Sequence, residues 1–415
     1  MNYKKIGDFI QQVNLKNEDG EVKNLLGVNL DKVFMPSVAN LNGVDMTKYK
    51  IIKKGQFGCK LMSVGRDKKL PISHLKDCDK AIISSAYYVF EVKNEKELLP
   101  EYLMMWFLRS ESDRFLWFLS GGDVRGRITW DDLCTLPIRI PSIEKQQQIV
   151  DEYNTVSNRI QLNEKININL EAMAQALYKH WFVDFEFPVY KKDGTLSSVE
   201  RYKSSGGKMV YNEELDKDIP VGWSVETVKD FSKEMKSGGT PSRANIEFWN
   251  KKDIPWLKTG ELKNKVIIEA EEYITEKALK NSSAKLLPIN SVLIAMYGQG
   301  NTKGQIGYLK IKSTTNQACC SIICENEFNS TFLYYHLRVN RDNIVKDAIG
   351  GAQPNLSKEL IENIYIIKPT SEILKKTPFV AIMNNKWKST CKNKTLQELQ
   401  SLLLAKMTKV ETKPL

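Results

Sequence analysis

Apolar and polar positions follow two cadences along this chain, and each cadence occurs twice. The runs SSAYYVFEV (84–92) and NQACCSIIC (316–324) are short, β-branched or aromatic, and predict strands. Each is followed by a run with helical spacing, PEYLMMWFLRSESDRFLWFLS (100–120) and STFLYYHLRVNRDNIVKDAIG (330–350), which predicts an amphipathic helix. Both helices run into a glycine pair, Gly121-Gly122 and Gly350-Gly351, and then a polar loop. An apolar residue and a hydroxyl follow in each copy, Ile128-Thr129 and Leu356-Ser357. Each hydroxyl stands where a helix N-cap belongs, with acids in the next turn: Asp131 and Asp132, or Glu359. Beyond the caps, Leu133, Leu136 and Ile138 match Ile361, Ile364 and Ile366, and Pro141 and Pro369 close the unit. A repeat this long predicts two copies of one α/β (α+β) module.

A third cadence follows each module. From Ile143, the positions Ile149, Tyr153, Val156, Ile160, Asn163, Asn167 and Leu170 alternate steps of four and three, the seam of a coiled coil. Two asparagines on that seam weaken packing but fix register, so one specific mate is expected. A second helix over about 372–409, with Phe379, Met383, Thr390, Leu396, Leu399 and Leu403, is the expected mate. Forty helical residues span about 60 Å, longer than a module's own core requires, and such length suits a spacer. The predicted layout is a module over 1–141, a helix over 142–182, a crossover linker over 183–220 rich in Lys, Ser and Gly, a module over 221–369 and a helix over 370–415. At the junction of helix and linker, Phe182, Phe185 and Phe187 suit packing against the helix end better than an exposed anchor.

Composition narrows the function. The 415 residues carry a formal net charge of +11, so an acidic partner is expected and nucleic acid heads the list. No apolar run approaches the roughly 20 residues of a membrane span, and the N-terminus lacks the apolar core of a signal peptide, so a cytoplasmic location and no membrane partner are expected. Seven cysteines without C-x-x-C spacing predict reduced core thiols. His74, in a basic loop, and His180 and His336, on helices, assemble neither a metal cluster nor a catalytic triad, so no metal and no catalytic residue is assigned. YGQGNTKGQIG (297–307) fits neither phosphate-loop pattern and predicts a hairpin-type loop instead. An independent methyltransferase would need an Asn/Asp-Pro-Pro-aromatic motif and a cofactor loop, and the chain has neither.

The run ALYKHWFVDFEFPV, a linker and then IPVGWSVETV resemble the central segment of specificity subunits of type I restriction-modification systems. GGAQPNLS, TTNQA and IPWLKTGEL are similar to that family's target-recognition domains, and the likeness covers essentially the whole chain. The resemblance implies two target-recognition domains in a pseudo-two-fold repeat, separated by two long helices that form an antiparallel coiled coil. It implies that each domain reads one half of a split double-stranded DNA target, while the helices set the gap and dock two methyltransferase subunits. It further implies no cofactor in this chain, S-adenosylmethionine in the adenine methyltransferase, and ATP with magnesium in restriction subunits where these accompany it. The chain departs from a simple repeat at DVRGRITW against AQPNLS, so contacts do not transfer between modules. The competing reading is a DNA-binding or protein-binding coiled-coil scaffold outside restriction-modification.

Candidate DNA-binding residues follow from side-chain chemistry. In the first module they are Arg66, Lys68, Lys69 and His74, with Arg125 and Arg127 after the glycine pair. Arginine pairs bidentately with guanine or clamps phosphate, and only the former specifies sequence. In the second they are Lys258, Thr259, Tyr297, Gln299, Asn301, Lys303, Gln305, Gln317, Gln353 and Asn355. Asn and Gln match the donor-acceptor edge of adenine. Gln317 alternatively holds a strand end, and Asn355 alternatively shapes the turn before Ser357.

Overall fold

A computed structural model describes residues 3–37, 45–123, 126–191, 193, 195–298, 300–349 and 355–407. The chain divides into two compact units, Met1–Gln161 with Thr395–Leu415, and Leu162–Lys394. Each unit therefore takes one module and a part of both long helices.

The first unit is built on a four-stranded antiparallel sheet in the order Ile10–Val13, Tyr88–Val92, Phe57–Cys59, Ile72–His74. Its core gathers Phe57 and Phe90 from the sheet with Tyr102, Leu103 and Phe107 from the helix Pro100–Leu108. The helix expected over 100–120 is interrupted at Arg109, whose backbone is extended, and resumes as Ser110–Leu119. The second unit repeats the sheet in the order Glu234–Ser237, Cys319–Ile323, Val292–Ala295, Ile306–Leu309 and adds Lys265–Ile267 at the edge. Phe332, Leu333 and Leu337 of the helix Glu327–Ile349 are buried in its core.

The expected caps form in both units. Thr129 and Asp132 make a reciprocal capping box, each side chain bonding the other's backbone amide. Ser357 accepts from the Leu360 amide at 3.0 Å. The strands that follow pair with the entry strands of their own modules: Pro137–Ile138 with Lys4–Lys5, and Tyr365–Lys368 with Ser224–Thr227. Even single bonds recur, for Ile6 N–H donates to Leu136 and Val228 N–H to Ile364. The cysteines are free, and Cys319 and Cys320 on one strand and Cys324 just after it are buried, where desolvation raises their thiol pKa values.

The long helices differ from expectation in detail. The first is continuous over Ile143–Tyr178, then loosens into one wider turn, Lys179–Val183. The second is broken into Ser371–Lys376 and Phe379–Lys406, because Pro378 offers no amide and Thr377 before it is extended. On the seam, Val156, Ile160 and Asn163 are buried, whereas Leu399, expected on the mating seam, is 42% exposed. Polar residues occupy its place at seven-residue intervals: Lys386 pairs with Glu171, Asn393 accepts from Asn163 at 2.7 Å, and Gln400 donates to Ser157 at 2.7 Å. Numbering rises on one helix as it falls on the other, so the strands of this seam run antiparallel.

Segment 183–220, expected as a crossover linker, is largely folded. Pro188–Tyr190 pairs with Leu196–Arg201, and Met209–Asn212 with Lys217–Pro220, giving two hairpins. Phe182, Phe185 and Phe187 are buried around Trp223, with Phe187 stacked 5.0 Å from it, which agrees with packing at the helix end.

Candidate nucleic-acid interface

Topologically equivalent hairpins carry most of the candidate residues. In the first unit, strands Phe57–Cys59 and Ile72–His74 are joined by a connection that folds into a short helix, Val64–Asp67. Buried Leu61 and Val64 hold that helix to the core. Lys68 then takes a left-handed conformation (φ 54°) that turns the chain back. A Cβ at Gly65 would lie 2.3 Å from the Gly126 carbonyl oxygen and 2.5 Å from that of Asp123. Only glycine permits this backbone-to-backbone approach, which sets Arg66, Lys68 and Lys69 beside the loop that follows the glycine pair.

The side chains on this surface are only partly committed. Arg66 is exposed and forks onto Asp67 at 2.7 and 2.9 Å, which raises its pKa. The Lys68 ammonium stands 5.2 Å over the Trp117 ring. Lys69 and Arg127 are exposed, and Arg125 lies outside the described residues. Asp113 fixes the end of the connection: it is mostly buried, accepts from the Leu70 amide at 3.1 Å and pairs with Lys32 at 2.9 Å.

His74 departs from its expected place in a basic loop. It is a strand residue whose ring stacks on Phe57 at 4.7 Å, and its ring nitrogens are buried without hydrogen bonds. Burial pushes its pKa down to about 4, so near neutrality the ring is an uncharged packing element.

In the second unit the corresponding connection joins Val292–Ala295 to Ile306–Leu309, as the hairpin reading of YGQGNTKGQIG requires. Three loops meet at Met296. Its amide donates to Ala318 at 2.9 Å, and its carbonyl accepts from Leu356 at 3.0 Å. Tyr297, Gln317 and Asn355, each next in sequence to one of those residues, are thereby brought together, and all three are exposed. The Arg341 guanidinium supports the hairpin by donating to the carbonyls of Asn301 and Lys303 at 2.8 Å each. Asn301 is exposed at the tip, while the Gln305 carboxamide accepts from the Lys263 amide at 3.1 Å and acts as a tie. Gln299 and Gln353 lie outside the described residues.

Gln317 accepts from the Thr240 hydroxyl, which links the hairpin surface to a loop that sequence reading passed over. That loop, Ser237-Gly238-Gly239-Thr240-Pro241, carries another glycine pair, a signal available in the sequence. A Cβ at Gly239 would lie 2.3 Å from Ser283 Oγ and 2.5 Å from its carbonyl carbon, and the Gly239 carbonyl accepts from the Trp256 indole at 2.9 Å. Arg243 follows, with its guanidinium 3.7 Å from the Trp249 ring centroid and 4.9 Å from that of Trp256. Its Nη1 reaches Glu272. Lys258 is committed to carboxylates, 3.0 Å from both Glu271 and Glu272, which raise its pKa. Thr259 is buried at the start of the turn Thr259–Glu261, away from solvent.

Two modules with the same frame and different polar loops suit recognition of two different surfaces. Among the described residues no helix is long and apolar enough to cross a membrane. The solved S subunit of a type I restriction-modification system from M. genitalium superposes with a TM-score of 0.56 at 14% identity, covering 99% of this chain and 96% of that one, so the fold is shared. The specificity subunit of type I restriction enzyme HindI from Haemophilus influenzae is 26% identical across 97% of both chains. The MjaIX specificity subunit from Methanocaldococcus jannaschii is 31% identical across 67% of this chain and 61% of its own length. The family model for the type I restriction modification DNA specificity domain matches twice, over residues 35–172 and 220–401, and the chain belongs to that family.

Proposed function

We propose that this chain is the DNA sequence-specificity subunit of a type I restriction-modification complex, in which each module reads one half of a bipartite target. The observation that carries this reading is the double family match, each copy spanning most of one module and part of one long helix. The equivalent hairpins present different chemistry, Arg66, Lys68 and Lys69 in one and Tyr297 and Asn301 in the other, as readers of unlike half-sites require. The helix pair sets the spacing of the half-sites and docks two methyltransferase subunits. The chain itself performs no chemistry. Methyl transfer from S-adenosylmethionine to adenine belongs to the partner, and ATP and magnesium serve a restriction subunit where one joins the complex.

Mapping adenine methylation across the host genome with and without this chain tests the reading. A split motif should vanish when the chain is removed. Substituting Arg127 with alanine should relax or weaken one half of that motif and leave the bases of the other half unchanged. A methylation map indifferent to the chain would overturn the proposal.

A further inference from the structure

Resting on the DNA-reading function proposed above, we infer that Arg243 is a specificity-determining residue of the second module, which reads a guanine in the major groove and is held for that task by Trp249 and Glu272. Its guanidinium carbon stands over the Trp249 ring, 3.7 Å from the centroid, and 4.9 Å from that of Trp256, so the group is confined on the side of the two indoles. The Trp249 indole is itself fixed, donating to the Ser242 carbonyl at 3.1 Å. Glu272 takes one guanidinium nitrogen, which sets rotation within the plane. The side chain is still 52% exposed, so part of the nitrogen edge faces solvent.

A fixed, outward-facing guanidinium edge is the donor pattern that pairs bidentately with guanine O6 and N7, and fixing it in advance lowers the entropy lost on binding. The surrounding charge decides between base and phosphate. Glu271 and Glu272 lie within one cluster with Lys258 and Arg243, two carboxylates against two cations. A phosphate approaching Arg243 meets Glu272 and is repelled, whereas the uncharged edge of a base is not. Lys258, 3.0 Å from both carboxylates, then acts as a positioning residue that holds Glu272 in place beside Arg243. The network also joins the other candidates, because Gly239 and Thr240, just before Arg243, bond Trp256 and Gln317.

The test uses the full chain assembled with its methyltransferase subunits and a pool of duplexes randomised at both half-sites, with bound molecules sequenced at several salt concentrations. Arg243→Lys keeps the charge but loses the planar fork, and Arg243→Gln loses both. Both variants should lose on the order of 10- to 100-fold discrimination at one G·C position of one half-site. The other half-site should stay as selective as before, which also reports that the chain remains folded, and for Arg243→Lys the salt slope should be unchanged. A uniform loss across sequences, with the salt slope falling by about one in Arg243→Gln, marks a phosphate contact and overturns the inference. Unchanged selectivity in both variants overturns it as well while leaving the functional reading intact. A wild-type complex that enriches no sequence overturns the functional reading, and this inference with it.

Discussion

His336 is sealed in the second unit, 7% exposed, with Nδ1 sharing a hydrogen bond of 2.8 Å with the Tyr178 hydroxyl. Burial pushes its pKa down to about 4, against an ordinary value near 6.5. The folded state thus prefers the neutral ring, so its contribution to stability is complete above pH 6.5 and is lost as pH falls toward 4. Acidification from pH 7 to 4.5 should cost about 2 to 3 kcal/mol through this one group. His74 adds a loss of the same sign in the first unit. Urea unfolding followed across this range should show a shallower pH dependence for His336→Gln than for wild type, and equal slopes would refute the assignment. Neither histidine's role was legible in the sequence, because nothing local marks a ring as buried against Phe57 or Tyr178. Lys32 and Asp113 escaped notice for the same reason: 81 positions separate them, and only the fold makes them a buried pair beneath the Arg66–Lys69 connection.

Elements with a strong period were legible where single residues were not. The N-caps at Thr129 and Ser357 and the strands at Tyr88–Val92 and Cys319–Ile323 follow from short local patterns. The folded hairpins of segment 183–220 did not, since their short strands lack a clear alternation and are held by Phe185, Phe187 and Trp223. The mating helix was read through Phe379, Met383, Thr390 and the leucines, which hid the polar positions Lys386, Asn393 and Gln400 at heptad spacing. The Asn163 amide donates to the Asn393 oxygen inside the seam, so removing the Asn393 side chain strands the buried Asn163 amide. Asn393→Leu alone should destabilise the second unit by about 1 to 3 kcal/mol, the cost of a buried unsatisfied amide. The double variant Asn163→Leu, Asn393→Leu should recover most of that loss while relaxing the register that the pair specifies. A double-mutant cycle from denaturant midpoints measures the coupling, and strictly additive losses would show that the two amides act independently.

At the scale of the whole molecule, the repeat was the feature most legible in the sequence, and the least legible was which loop residues stay free to bind. Lys258 and Gln305 look like available polar groups in one dimension, yet carboxylates hold the first and the Lys263 amide occupies the second's carbonyl oxygen. Arg243 sits in an unremarkable stretch and gains its importance only when Trp249 and Glu272 close around it. The proposed spacing role of the helix pair makes a demand on the same scale. Adding one turn to each helix would rotate the seam, whereas adding seven residues keeps its heptad phase. Insertions between Ser157 and Asn163 on one helix and between Asn393 and Gln400 on the other leave each polar pair intact. Seven helical residues add about 10.5 Å, and at about 3.4 Å per base pair the gap between half-sites should widen by about three base pairs. Three base pairs also rotate one half-site by roughly 100° about the duplex, which DNA twisting or module tilt must absorb, so affinity should fall even at the new optimum. Methylation mapping of the lengthened chain decides the matter: unchanged half-sites across a wider gap support a ruler, and full activity at the original gap shows that the helices serve docking alone.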